Sequence, residues 1–455
     1  MLLSRKLDLK QVRLVRPKLA IYLDSLPTTP SFRKPAAEKK ENPLIQSILV
    51  GELSMESGQL DLYQKGGRAL PNGHFPRVDF RLSQLGIDLL DLKELPSWKE
   101  LLSKNMTFSL SDYETYTQDS SYKINLEKVQ FAEENLSLEG VFYRPTYGTD
   151  AYLNSLPFQK EAINARIQQL QLEGIDPLRL AEFELLKAKA LVVKGATLEL
   201  VRDKRKPLDS LAYKAMPQYL LEHAKINADL DTVQVSDSQV TYVEFGEKST
   251  QSGRITFDHL RGNIGPIFLR KAGASYPVSE IKFVMAAQVG DSSKLGVTGT
   301  MLFEKNYPMK VQVTADKFAF SEMSDLVSKT VFVRPTSGEF THGNWDFEVN
   351  EQEAFGSMTL GYRDFKLEFL DSLTLERGKG KLRIYSFVAN FLGKNANPRS
   401  AKGRPVVREI YMQRDTRKSV INAWWKATFS GLKGTLGFGR AKMPPHLRNK
   451  IAEQK

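Results

Sequence analysis

The residues able to do chemistry are few and far apart in this chain. Its five histidines, His74, His223, His259, His342 and His446, include no two close enough in sequence for a local metal pair such as the i, i+4 arrangement on a helix. Each reads as a single surface or core histidine, and a site assembled from distant segments stays open. The absence of cysteine removes thiolate metal sites, cysteine nucleophiles and disulfides at once. Neither a phosphate-binding G-x-x-x-x-G-K-[ST] loop nor a G-x-S-x-G nucleophile elbow is present. The glycine-rich run at 431–439 has the wrong spacing for a dinucleotide loop, and its glycines read as a helix end. Carboxylates are scattered over expected solvent faces. The expectation is a protein that is not an enzyme and uses no cofactor and no metal.

One concentrated chemical pattern lies near the C-terminus. Val420, Ile421, Trp424, Trp425, Phe429 and Leu432 follow helical spacing, flanked by Arg414, Arg417, Lys418, Lys426 and Lys433. Aromatic rings beside lysine and arginine suit a bilayer interface, so Trp424, Trp425, Phe429, Arg417, Lys418, Lys426 and Lys433 are the candidate membrane contacts. The competing reading buries the tryptophans against one end of a sheet. From residue 376 to 455, nineteen Lys or Arg face four acidic residues, a balance of +15 within a net +12, so the preceding residues sum to −3. A near-neutral body with a basic tail implies an anionic partner, either lipid headgroups or nucleic acid. Nucleic acid is the less favoured, because aromatics confined to one helical face make no stacking platform.

The elements that must position these residues are read from apolar spacing upstream. Five times the chain repeats apolar-x-apolar, four residues, apolar-x-apolar: at 12–21, 53–62, 129–138, 191–200 and 233–242. The central pairs are Arg16-Pro17, Ser57-Gly58, Glu133-Glu134, Gly195-Ala196 and Asp237-Ser238. With a two-residue hairpin turn at each pair, Met55 faces Leu60, Leu53 faces Leu62, and all four share one sheet face. Sixteen of the twenty positions between are polar and point the other way, the period-two pattern of a half-solvated antiparallel pair. Pro17 breaks the first copy, since its ring forbids the positive φ of a primed turn, and that copy reads as a kink or a longer turn.

Between the repeats, residues 27–42 read as a polar surface loop, and 95–102, 177–191 and 207–225 as short helices with a proline in the first turn. From 255 onward, segments such as 281–285, 295–303, 310–314, 346–349, 357–362 and 366–370 read as strands. The expected fold is mainly β: a long curved antiparallel sheet of repeated hairpins, with short interspersed helices and a C-terminal amphipathic helix. Its expected divisions are a repeated-hairpin region at 1–245, an antiparallel β region at 246–400 and a basic tail with the helix at 401–455. With 455 residues, 41% of them hydrophobic, the chain has ample material for a core. No stretch of eighteen apolar residues occurs, and residues 1–8 lack the apolar core of a signal peptide. The expectation divides between a protein soluble inside the cell and a chain whose true N-terminus, with its anchor, is missing.

The run at 165–177, Ala-Arg-Ile-Gln-Gln-Leu-Gln-Leu-Glu-Gly-Ile-Asp-Pro, leading through Leu191 to Asp203-Lys204-Arg205-Lys206-Pro207, resembles bacterial AsmA-like proteins, particularly the forms found in Bacteroidota. So do residues 238–245 and 253–257, and Arg414-Asp415 followed by the Trp424-Trp425 helix. The resemblance covers nearly the whole chain through diffuse patterns. It implies a protein similar to the bridge-like lipid-transfer proteins, in which an N-terminal membrane helix tethers a long curved sheet whose apolar concave face carries acyl chains across the envelope. An exposed apolar face beyond a few hundred Å² marks a ligand or partner surface. The residues this assigns to a ligand groove are Val12, Leu14, Leu53, Met55, Leu60, Leu62, Leu191, Val193, Leu198 and Leu200. The missing N-terminal anchor departs from the family pattern. The expected function is non-enzymatic: binding or conducting lipid or another long apolar ligand, on the periplasmic side of a membrane. Its expected partners are lipid or an anionic membrane surface and envelope proteins, with no nucleic acid. The alternatives are a structural or assembly module whose apolar face is closed as core and, with a genuine N-terminus, a cytoplasmic protein.

Overall fold

The computed structural model describes residues 6–23, 45–64, 69–88, 106–175, 185–273, 275–290, 293–383, 385–386, 395–400, 402–439 and 441–453. It is mainly β: among the described residues nineteen strands belong to one hydrogen-bonded sheet, accompanied by a few helices. The strands are β1 (Lys6–Val15), β2 (Lys18–Leu23), β3 (Ser47–Gln64), β4 (Ala69–Asp88), β5 (Met106–Tyr116), β6 (Tyr122–Ala132) and β7 (Asn135–Pro145). Helix α1 (Thr149–Ser155) then precedes β8 (Glu161–Glu173) and β9 (Leu186–Asp203), and α2 (Pro217–Glu222) precedes β10 (Ala228–Phe245). Next come β11 (Ser252–Gly265), β12 (Ile267–Leu269), β13 (Glu280–Val289), β14 (Ser293–Leu302), β15 (Met309–Ala315) and β16 (Phe318–Ala319). A 3-10 turn (Phe320–Met323) leads into α3 (Ser324–Thr330), then β17 (Val333–Val349), β18 (Glu353–Phe369), β19 (Val407–Gln413), α4 (Val420–Leu436) and α5 (Pro445–Glu453).

The chain forms two compact units, one of residues 1–146, 166–194 and 226–231 and the other of 147–165, 195–225 and 232–455. Of the expected division points, residue 245 is the last of β10, while 246–400 and 401–455 both belong to the second unit.

Of the five ten-residue repeats, only the third is a hairpin. Glu133 and Glu134 both take positive φ, 49° and 61°, and β6 turns directly into β7 with Ala132 opposite Asn135. At the other four the chain runs on through a single positive-φ residue: Arg16 (52°), Ser57 (50°), Gly195 (64°) and Asp237 (49°). β1 and β2 both pair parallel to β3, so no reversal separates them. β3 continues through Ser57, and its register with β4 moves from Met55↔Phe80 to Gly58↔Val78, three residues against two. β10 does the same against β11, from Val235↔Gly262 to Ser238↔Leu260. These are β-bulges. A bulge shifts the alternation by one residue and so keeps both apolar-x-apolar pairs on one face, as a two-residue turn also does. Each bulge here carries one positive φ, at the residue before Pro17 in the first copy, where a type I′ turn needs two, so Pro17 is compatible with it.

The expected face-sharing holds in the first unit, by bulges instead of turns. Val12 lies opposite Leu53, Leu14 opposite Met55, Leu19 opposite Leu60 and Ile21 opposite Leu62. Met55 and Leu60 pack in one cluster with Val78, Leu110, Phe75 and Phe80. Residues 27–42, 95–102 and 177–184 lie outside the described residues. The rest of the expected 177–191 helix is strand: Lys187-Ala188-Lys189-Ala190 alternates exposed and buried, a period of two that overrides the helix propensity of alanine and lysine. Of 207–225, only α2 is helical, with Pro217 in its first turn.

In the second unit, β13, β14, β15, β17 and β18 lay apolar side chains in rows across one face. One row is Phe283, Gly299, Val311, Phe347 and Gly356; the next is Met285, Val297, Val313, Trp345 and Met358; the third is Ala287, Leu295, Ala315, Gly343 and Leu360. The opposite face carries Lys282, Thr298, Lys310, Gln312 and Asp346. At β18 and β19 both faces are covered. α4 packs on the apolar side; on the other, Leu447 of α5 and Met443 just before it pack against Phe355, with α5 held by Arg448 to Glu409 and Lys450 to Glu348.

Candidate functional site: an apolar groove under a helix

α4 is delimited by its own sequence. The Ser419 hydroxyl accepts from the Asn422 amide at the N-terminus, and Gly437 closes the C-terminus in the left-handed region at φ 92°, its amide and that of Phe438 both donating to the Lys433 carbonyl. The buried stripe is made of small residues, Ala423, Ala427 and Gly431, spaced four apart. A Cβ at Gly431 would lie 2.9 Å from Ile410 and 3.0 Å from the Met358 sulfur, so the glycine sets how closely α4 approaches the sheet. The Trp345 indole N–H donates to the Thr428 hydroxyl at 3.0 Å, and Trp424 stacks on Phe283 at 5.8 Å, pinning the helix.

Beside that stripe, Trp424 reaches the sheet at Phe283 and Phe347, while Trp425 and Phe429 are directed away from the closest contact. Ile421, Trp424, Trp425, Phe429 and Leu432 line a cavity of about 410 Å³ in the second unit. Its other walls are Val240 of β10, Ile255, Phe257 and Leu260 of β11, and the Met285 and Ala287 rows of the sheet. Space exists because Ala287, Ala315 and Gly343 share a row with only two leucines. Phe318, Phe320, Met323 and Phe340 add an aromatic-rich wall, with Phe318 stacked on Phe340 at 4.5 Å. Of the polar groups in the lining, the Ser293 and Thr428 hydroxyls and the Trp345 N–H are hydrogen-bonded within the protein, while the buried Trp424 indole N–H has no partner. The cavity thus offers hydrocarbon to an occupant. Trp425 and Phe429 are 42% and 38% exposed while also lining it, so they form its lip.

Along β10 the same strand face becomes polar beyond Val240. Tyr242 and Glu244 follow at alternate positions, with the Tyr242 hydroxyl donating to Glu244 at 2.5 Å and the Lys204 ammonium donating to the other carboxylate oxygen at 2.6 Å. Arg202, buried on β9, donates to Glu161 at 2.7 Å and Gln159 at 3.2 Å. Burial and the Glu244 charge push the Tyr242 hydroxyl above the usual tyrosine range, so it stays a neutral donor.

The sequence-assigned residues fall in several places. Val12, Leu53, Leu60 and Leu62 are half-buried in the first unit, Leu14 is exposed and Met55 buried. Leu191 and Val193 lie in the first-unit part of β9, Leu198 and Leu200 in its second-unit part, all half-buried. Of the expected membrane set, Trp424 faces Phe283 and Phe347, while Trp425 and Phe429 stack on each other at 6.5 Å. Arg417 and Lys418 both pair with Asp415, and Lys433 sits 4.7 Å from the Phe429 ring. Val240, Phe257, Met285, Leu295 and Val297 of the cavity were not singled out by sequence. Their signal was there, in strands whose apolar alternation includes glycine and alanine. Among the described residues no group of three or more potential metal ligands is assembled, and no helix is long and apolar enough to cross a membrane. No family model matches the chain, and a search of curated proteins finds no match.

Proposed function

We propose that the protein binds the acyl chain of a lipid, or a comparable long apolar ligand, in the groove beneath α4, and that it acts without catalysis as an AsmA-like lipid carrier or conduit of the cell envelope. The observation that carries this reading is the cavity of about 410 Å³ lined mostly by apolar and aromatic side chains. That volume falls in the range of roughly 300–1,000 Å³ typical of small-molecule sites. Five strands spaced about 4.8 Å apart give the walls a span of roughly 19 Å, the scale of an extended acyl tail. The resemblance in sequence supports the envelope setting, and the exposed Trp425–Phe429 lip with Lys433 beside it suits delivery from an anionic bilayer.

In the first unit a specific observation favours the second reading, a closed structural face: Met55 and Val78 are each only 3% exposed. The groove reading is tested by extracting purified protein with organic solvent and identifying lipids by mass spectrometry. A lipid near one per chain is expected. Protein that comes away empty and binds no added fatty acid rules the reading out.

A further inference from the structure

The wall of the groove holds donor hydrogens that the protein itself leaves unused, and these bear on the chemistry of the occupant. We propose that the ligand carries an acyl carbonyl inside the cavity and that the Thr428 hydroxyl donates to its oxygen. This deepens the lipid-binding reading and rests on it.

Thr428 stands in the middle of the cavity face of α4. Trp424 and Trp425 one turn before it and Leu432 one turn after it all line the same cavity, as Thr428 does. The Trp345 indole N–H can only donate, and it gives its hydrogen to the Thr428 oxygen at 3.0 Å. The hydroxyl's own hydrogen is left for another acceptor. Helical threonines often return it to the carbonyl four residues back: Thr435 of α4 does so to Gly431 at 2.9 Å, and Thr330 of α3 to Leu326 at 2.7 Å. Thr428 makes no such bond, and among the described residues its hydrogen has no acceptor. One turn earlier in the same wall, the Trp424 indole N–H is also without a partner. Ser293, by contrast, spends its hydrogen on the Asp316 carbonyl.

A donor in an apolar wall is unfavourable until an acceptor reaches it. Water is a poor remedy here, because a buried water needs roughly two to four polar partners and most of the lining is hydrocarbon. An acyl carbonyl brings a strong acceptor, no donor of its own, and the aliphatic chain that the walls call for. No lysine or arginine is among the described residues of the lining, so an ester carbonyl enters at less cost than an ionised carboxylate. Trp425, part of the exposed lip, is one turn from Thr428. A carbonyl at Thr428 therefore sits just inside the mouth, with the chain running inward over the Met285 and Ala287 rows and the remainder of the molecule outside.

The test delivers methyl decanoate, decanoic acid and undecane from cyclodextrin to the full-length chain. Displacement of a fluorescent probe gives the affinities, and infrared spectroscopy of methyl decanoate with an isotope-labelled carbonyl reads the bond itself. The expected result is a carbonyl band at lower frequency in the protein than in liquid undecane. Thr428→Val is expected to return the band to its undecane position and to lower the ratio of ester to undecane affinity about fivefold, while Thr428→Ser retains both. Folding of the variants is checked by circular dichroism; should Thr428→Val fail to fold because Trp345 loses its acceptor, the band in the unmodified protein decides alone. A band at its undecane position in the unmodified protein, or a band and ratio that Thr428→Val does not move, overturns the carbonyl anchor while leaving the groove standing. Failure of both methyl decanoate and undecane to bind overturns the groove reading and the anchor with it. With the anchor shown, tighter binding of methyl decanoate than of decanoic acid assigns the carbonyl to an ester, and the reverse order assigns it to a free fatty acid.

Discussion

Replacing Val297 by phenylalanine separates an open groove from a packed core in one measurement. Val297 is half-buried in the Met285 row, facing the cavity across from the Trp424 helix face. An engineered protein cavity of roughly 150 Å³ holds a benzene molecule, so about 410 Å³ accepts the added ring without displacing its neighbours. The ring then gains about 1–2 kcal/mol from burial against Met285, Val313 and Trp425, part of the roughly 1.5–3 kcal/mol for a fully buried phenylalanine. For a domain of this size, each kcal/mol moves the melting temperature by about 2–4 °C. The variant is expected to melt at the same temperature or a few degrees higher, and to bind a fluorescent fatty acid at least tenfold more weakly. As a control, Ala427→Phe puts the same ring where α4 touches the sheet with no exposed surface, and it loses about 2 kcal/mol or more from overpacking. If Val297→Phe is destabilised like the control, the cavity is not open space and the groove account fails.

Three further outcomes follow from the same geometry. Leu60→Asp puts a charge into the Met55–Phe75–Phe80 cluster and is expected to cost about 3 kcal/mol or more in urea unfolding, because that face is packed as core; a loss below about 1 kcal/mol marks it as open. The double change Glu133→Asn and Glu134→Gly suits the two-residue turn of the third repeat and should stabilise by about 1 kcal/mol, whereas Asn-Gly at Ser57-Gly58, a bulge with one positive φ, should give less. Glu114, held by Lys123, Tyr116 and Asn125 against the weaker opposing effect of burial, has its pKa lowered from 4.5 to about 2. Its contribution is complete above the unfolded value and lost as pH falls from about 4.5 through 2; being well exposed, it amounts to well under 1 kcal/mol, and Glu114→Gln should flatten that limb of the acid-unfolding curve without altering stability at pH 7 by more than this.

Much of the β architecture was legible because period-two alternation survives in a half-solvated sheet. The ten-residue repeat correctly placed Leu53, Met55, Leu60 and Leu62 on one face. It misassigned the connection, because a turn and a bulge impose the same shift on the alternation, and only the partner strand, the segment itself or another, tells them apart. Helix α4 was visible from its stripe and its closing glycines. Which side of it meets the sheet was not, since the contact is made by Ala423, Ala427 and Gly431, while the conspicuous Trp425 and Phe429 border a void. The cavity itself depends on Ala287, Ala315 and Gly343 falling into register across strands β13 to β17, and register between distant strands is not written in any local window.

The central claim is that an acyl chain lies between α4 and the sheet of the second unit. Photolysis of the protein with a diazirine-bearing fatty acid, followed by peptide mass spectrometry, tests it most directly. The account predicts cross-links concentrated on Met285, Leu295, Val297, Trp425 and Phe429, competed away by dodecyl phosphate. Labelling spread over the exposed apolar residues of both units, or confined to Leu14, Leu19 and Ile21 at β1 and β2, would contradict it.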